Sequence, residues 1–166
     1  MSGLRFGLPK GVALRRLKAD EPGWGAILNL IRRSFAYMDG VIDPPSSAMT
    51  LTQEALVAKS AKEIALGLFS EKRPVACVFL DPRPDCLYIG KLAVEPQMQG
   101  KGLGSCLIQE AEAVARHLGL ARLELQTRVE LAANHTYFAA RGFAKAGESS
   151  HAGFSWPTSI LMRMEI

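Results

Sequence analysis

The passage that most constrains this chain runs from Leu92 through Ala93, Val94, Glu95, Pro96, Gln97 and Met98 to Gln99, Gly100, Lys101, Gly102, Leu103, Gly104 and Ser105. An apolar strand pattern ends, Pro96 breaks it, three glycines alternate, and a helical pattern starts at once. Glycine tolerates φ > 0 and lets another molecule come close to the backbone. The first amides of a helix have no intrahelical partner, and with the helix dipole they form an anion site suited to a pyrophosphate. The spacing is neither of two familiar phosphate loops. A Rossmann fingerprint needs glycine where this chain has Ser105, and a P-loop needs Gly-Lys-Ser/Thr after a four-residue gap.

Elements of two periodicities surround this turn. Val12 to Leu17 reads as a strand. Asp20 offers a helix N-cap with Pro22 just inside, and Trp24, Ile27, Leu28, Ile31 and Phe35 then recur at helical spacing, with Arg32 and Arg33 outside. The prolines at 44 and 45 exclude helix there, and a second helix is expected over 52–62 with Thr52 as its cap. Strands are expected over 64–69, 75–80 and 87–94, with turns at 71–74 and 81–85. The helix after the glycine turn buries Leu103, Cys106, Leu107, Ala111, Val114 and Leu118 and stops at Gly119. A strand over 122–127 turns Leu123 and Leu125 inward, a helix over about 132–141 ends at Gly142, and strands over 143–147 and 159–164 close the chain. The order β-α-α-β-β-β-α-β-α-β-β fits an α/β fold (α+β mixed): a mixed, mostly antiparallel sheet of about seven strands flanked by about four helices. Ligands of such sheets sit where a strand feeds a helix.

With 166 residues, one domain spanning 1–166 is expected, large enough to bury a core without disulfides or metal. The net charge of +4 is spread along the chain. No Lys/Arg stripe interleaves with aromatics, so nucleic acid is not an expected partner. Cys77, Cys86 and Cys106 form no CxxC pair and have no histidine at ligand spacing, so core packing is expected and no metal. Unpaired cysteines suit a reducing compartment. The N-terminus lacks an apolar signal region and no run of about 18 apolar residues occurs, so the reading is cytoplasmic, without a membrane partner.

Gln99-Gly100-Lys101-Gly102-Leu103-Gly104 resembles the Gln/Arg-x-x-Gly-x-Gly/Ala signature of the GCN5-related N-acetyltransferases, and Leu92-x-Val94-x-Pro96 precedes it as in that family. The family's element order also matches over nearly the whole chain. The resemblance implies acetyl-CoA as cofactor, with the amides of Gln99, Gly100, Lys101, Gly102, Leu103, Gly104 and Ser105 on its pyrophosphate and Lys101 adding charge. It implies that Leu92, Ala93 and Val94 lie along the pantetheine arm, Leu92 and Val94 pairing with it through main-chain groups in a wedge where that strand splays from the next. An amide near Leu92 would stabilise the thioester oxyanion.

Acetyl transfer to an amine needs loss of the amine's proton, stabilisation of that oxyanion, and a proton for the leaving thiolate. Tyr137-Phe138-x-x-Arg141-Gly142-Phe143 resembles the family's Tyr-x-x-x-Gly-Phe ending and makes Tyr137 the expected acid. Many relatives carry Asn seven residues before this tyrosine. Here that position is Glu130, and Asn134 is the expected substitute contact. No carboxylate stands on the strand over 87–94, so the base stays open among Tyr88, a water, Asp39 and Asp43. Glu95 reads as a solvated loop charge, and His117 and His135 as surface residues. Tyr37, Asp39, Asp43, Tyr88, His151 and Trp156 are the expected acceptor-side residues, the two aspartates favouring a cationic primary amine, of a small molecule or a peptide. The alternative is a non-catalytic CoA-binding sensor or regulatory module. Homodimers are common in the family, but no interface can be read from this sequence.

Overall fold

A computed structural model describes residues 7–166; residues 1–6, part of the N-terminal stretch read above, lie outside the described residues. Seven strands form one sheet in the order β1-β2-β3-β4-β5-β7-β6. They are β1 Val12–Leu17, β2 Ile64–Ser70, β3 Arg73–Pro82, β4 Leu87–Val94, β5 Arg122–Arg128, β6 Ala144–Ser149 and β7 Ser159–Glu165. Four α-helices cover it: α1 Trp24–Phe35, α2 Gln53–Lys62, α3 Leu103–His117 and α4 Ala132–Ala139. The pairing is antiparallel except between β4 and β5.

The alternation of side chains along β3 shows why the sheet is covered on both faces. Cys77 and Phe79 point to a core that holds Trp24, Ile27, Leu30 and Ile31 of α1 and Leu56 of α2. Ala76, Val78 and Leu80 point the other way, to Leu103, Leu107, Ile108, Ala111 and Ala115 of α3. Leu123 and Leu125 of β5 join this second core as expected from alternation.

Several local expectations are corrected. Asp20 does not cap α1. The N-cap is Gly23, with no side-chain cap, and Pro22 stands before the helix. Glu21 accepts from the Gly23 amide at 3.3 Å and pairs with Arg15, which fixes the entry to α1 instead. The turn between β2 and β3 is only Glu71-Lys72, both at positive φ, as a two-residue hairpin of type I′ requires. β3 therefore starts at Arg73 and continues through Asp81 and Pro82. Leu118 is 44% exposed, because α3 ends at His117 and Leu118 is its cap. Gly119 (φ +73) donates to the Arg116 carbonyl and Leu120 to that of Ala115, which closes the helix in a Schellman motif. β6 starts one residue later than expected and extends to Ser149. Thr52 does cap α2, its Oγ1 accepting from the Ala55 amide at 3.2 Å.

Candidate active site

The site arises where β4 and β5 part. They share register only at Leu87↔Leu123 and Tyr88↔Glu124. Beyond Tyr88 their facing edges open a wedge, and the cavity there holds about 1150 Å³. A bulge in β4 accompanies the opening. Phe79 faces Gly90 and Cys77 faces Ala93, so Lys91 and Leu92 together oppose one residue of β3, with Lys91 at φ +49.

The glycine turn forms one end of this cavity. A short 3-10 turn over Pro96–Met98 follows β4, and Gly102, at φ +83, is the N-cap of α3 with no side-chain acceptor on the helix amides. Leu92, Val94, Gln99, Gly100, Gly102, Leu103, Gly104 and Ser105 all line the cavity. Nothing lies within 4 Å of where a Cβ would stand on Gly100 or Gly102, so the backbone faces open space. Lys101 and Ala93 are not in the lining. Lys101 is exposed, with Nζ 3.9 Å from Met98 Sδ, and Ala93 is buried in the α1-side core. One expectation changes for Val94. Its amide already donates to Ser34 Oγ of α1 at 3.1 Å, so it is not free to pair with a bound arm.

Tyr137, on α4, lies against the start of α3. A Cβ on Gly104 would meet its hydroxyl at 2.5 Å, so glycine is what lets the phenol sit over the helix N-terminus. Arg141, one turn on, lays its guanidinium 3.4 Å from the centre of the Tyr137 ring. It also donates to Ser105 Oγ and to the Tyr137 carbonyl, both at 2.8 Å. Arg141 was not singled out from the sequence. Its place one turn after Tyr137 was the available signal.

The expected acceptor residues divide. Tyr37, Tyr88, Asn134 and His151 line the cavity, and Asn134 Nδ2 donates to the Tyr37 hydroxyl at 2.9 Å. Asp39, Asp43 and Trp156 do not. Asp39 is exposed beyond a 3-10 turn, and Trp156 is 56% exposed with its ring against Phe154. The Asp43 amide donates to Glu130 at 3.0 Å, so Glu130 ties two loops together. Burial pushes the Tyr88 phenol above its ordinary pKa, which makes it a poor base. Burial and the charge of Arg128 hold His151 below the usual imidazole value, so it is neutral at pH 7. Its Nδ1 contacts Thr158 Oγ1. Glu95 is not a free loop charge but pairs with Arg33 at 2.6 Å. His135 is half-buried with Nε2 2.8 Å from the Arg128 carbonyl, whereas His117 is exposed.

The cysteines are core residues. Burial pushes Cys77 up to about 12 and Cys86 to about 11, and raises Cys106. Thiolate is the nucleophile, so none of the three serves as an acyl carrier at neutral pH. A thiol-reactive chromophore at pH 7 is expected to leave all three unmodified in the native protein and to react with three per chain in denaturant. Prompt native labelling would contradict the packing described.

A splayed parallel pair, a bulged strand and a glycine-capped helix beside a tyrosine thus frame one open wedge. A family model described as the acetyltransferase (GNAT) family matches residues 24–143, and the chain belongs to that family. Solved structures share the fold. The PaiA N-acetyltransferase of Thermoplasma acidophilum, in complex with coenzyme A, has a TM-score of 0.80 at 14% identity, covering 93% of this chain and 99% of its own. The ribosomal-protein-S18-alanine N-acetyltransferase of Escherichia coli has a TM-score of 0.70 at 17% identity, with 93% and 94% covered. A GNAT acetyltransferase of Elizabethkingia anophelis with acetyl-CoA bound has a TM-score of 0.68 at 15% identity, with 95% and 100% covered. No curated protein matches significantly. No helix among the described residues is long and apolar enough to cross a membrane.

Proposed function

We propose that this protein is an acetyl-CoA-dependent N-acetyltransferase that moves an acetyl group to a primary amine by direct attack. The observation that carries the reading is the placement of Tyr137 against Gly104, at the mouth of an uncapped helix N-terminus that lines an open wedge. Acetyl-CoA supplies the activated acyl group as a thioester. The amides at Leu103, Gly104 and Ser105 fit its pyrophosphate, because they are uncapped and face the cavity. Leu92, on the splayed edge, lies along the pantetheine arm and offers its amide to the carbonyl oxygen. Gln99, Gly100 and Asn134 line the same cavity.

The amine enters beside β5 as the free base, having given a proton to solvent or to neutral His151. Its nitrogen bonds to the acyl carbon as the carbon–sulfur bond breaks. Tyr137 gives its phenolic proton to the departing sulfur and recovers one that the nitrogen loses, which balances the exchange. Holding amine and thioester together in the wedge supplies much of the rate.

Isothermal titration with acetyl-CoA, followed by assay of CoA release with amine acceptors, tests the reading. Saturable heat and amine-dependent turnover support it. Binding without turnover across a broad amine panel would favour the CoA-sensing alternative. A folded protein giving no heat would sink both.

A further inference from the structure

The lining of the wedge carries an excess of positive charge. Among the described residues, Lys59, Lys91, Arg128 and Arg141 line the cavity, and no aspartate or glutamate does. Two of these cations have evident employment. Lys59 pairs with Glu63 at 2.8 Å, and Arg141 is held on Ser105 at the glycine-turn end.

Lys91 and Arg128 are different. They stand on the two strands that part, and each grips the same short loop. Lys91 Nζ donates to Ser47 Oγ at 2.6 Å, and Arg128 Nη2 donates to the Pro45 carbonyl at 3.2 Å. Both acceptors are neutral, and among the described residues neither cation forms an ion pair. Among the described residues, Arg128 Nη1 is buried with no partner, and so is the hydroxyl of the adjacent Thr127, which is 7% exposed and also lines the cavity. Burial lowers the pKa of Lys91, helped by the charge of Lys59, and lowers that of Arg128. Glu130 and Asp43 act on Arg128 in the opposite sense, but both lie outside the cavity lining.

A buried donor without an acceptor costs free energy, and more so on a cation. Arg128, with a donor left over, and Lys91, bonded only to a neutral hydroxyl, face one cavity beside the unpartnered Thr127 hydroxyl, a set that an anion would complete. A guanidinium fork suits a planar or tetrahedral oxyanion.

We propose that the acceptor amine also bears an oxyanion, carboxylate or phosphonate in type, which Arg128 and Lys91 hold beside Thr127 while the amine faces the thioester. This rests on the acetyl-transfer reading above. It reverses the preference for a cationic acceptor that Asp39 and Asp43 suggested, since neither aspartate lines the cavity.

The test compares matched acceptors at saturating acetyl-CoA: L-alanine, β-alanine, γ-aminobutyrate and L-glutamate, each against its neutral amide, with 2-aminoethylphosphonate against ethylamine, and spermidine. For at least one acid, kcat/KM should exceed that of its neutral partner by about tenfold or more, the scale of a charge-assisted contact. Whether the best acid is a carboxylate or the phosphonate identifies the oxyanion. Arg128→Gln should erase most of that advantage by raising KM for the acid, with the amide little changed, and Arg128→Lys should restore part of it. Lys91→Asn, which tolerates the left-handed backbone there, is the second variant should Arg128→Gln fail to fold. Acetyl-CoA titration and the unfolding midpoint, measured on every variant, separate a local effect from a global one. The proposal is overturned if amides or spermidine are acetylated as well as the acids. It is equally overturned if the advantage survives both substitutions in folded protein, or if acetyl-CoA binds yet no acid is bound or acetylated. Absence of acetyl-CoA binding would instead bring down the acetyl-transfer reading on which it rests.

Discussion

Tyr137→Phe is expected to lower kcat by about a hundredfold, the usual scale for loss of a positioned acid, while the Kd for acetyl-CoA changes by less than about threefold. The split follows from where the ring sits. Its hydroxyl lies over Gly104, its face under the Arg141 guanidinium, and its edge against the Phe138 ring. Phenylalanine keeps the stacking and the packing and removes only the oxygen. The step that suffers is proton delivery to the departing sulfur, which a thioester bound at rest does not need. Arg141 remains bonded to Ser105 and to the Tyr137 carbonyl in the variant, so the helix start should hold its shape. Steady-state kinetics with acetyl-CoA titrations settle the matter. An equal loss in kcat and affinity would mean that the phenol binds the cofactor and does not act as an acid, and unchanged turnover would remove Tyr137 from the reaction.

Much of this was legible because the relevant signals are local. The glycine turn, the Tyr-x-x-x-Gly-Phe ending and the alternation of Leu123 and Leu125 in β5 each follow from neighbours in sequence. What escaped depends on contacts between distant segments. Nothing nearby in sequence marks Ser34, and only the approach of β4, sixty residues on, shows that it holds the Val94 amide. Nothing in the sequence around Lys91 marks it for the wedge; it lines the cavity at the bulge where two residues stand opposite one. Arg128 lies just past the strand expected over 122–127, and nothing nearby in sequence tells that its guanidinium donates to the carbonyl of Pro45. The aspartates show the reverse error. Asp39 and Asp43 stand in loops of the right region, but the segment folds so that their carboxylates miss the cavity. Residue type and region pointed to Tyr37, Tyr88 and His151, which line the cavity, while the charge of that lining was decided by tertiary packing.

Gly102→Val, set against Gly119→Val, should separate the cost of a strained backbone from the loss of an anion site. Both glycines have left-handed backbone, at φ +83 and +73, and nothing stands within 4 Å of a Cβ built on either. A β-branched residue at each is therefore disfavoured by about 1–2 kcal/mol, and the two variants should lose similar thermal stability. They differ in which end of α3 they occupy. Gly119 closes the helix on the far side from the wedge, whereas Gly102 is the N-cap whose following amides line it. The open space over Gly119 is solvent, but over Gly102 it is where a pyrophosphate would lie against the backbone. Valine there displaces the phosphate oxygens from the amides, and loss of two or three charge-assisted hydrogen bonds corresponds to an affinity drop of about a hundredfold or more. Calorimetric titration with acetyl-CoA on both variants, with melting curves alongside, gives the comparison directly. Equal affinities in the two variants would place the cofactor phosphates elsewhere on the protein, and a loss in both would trace it to the integrity of α3 as a whole.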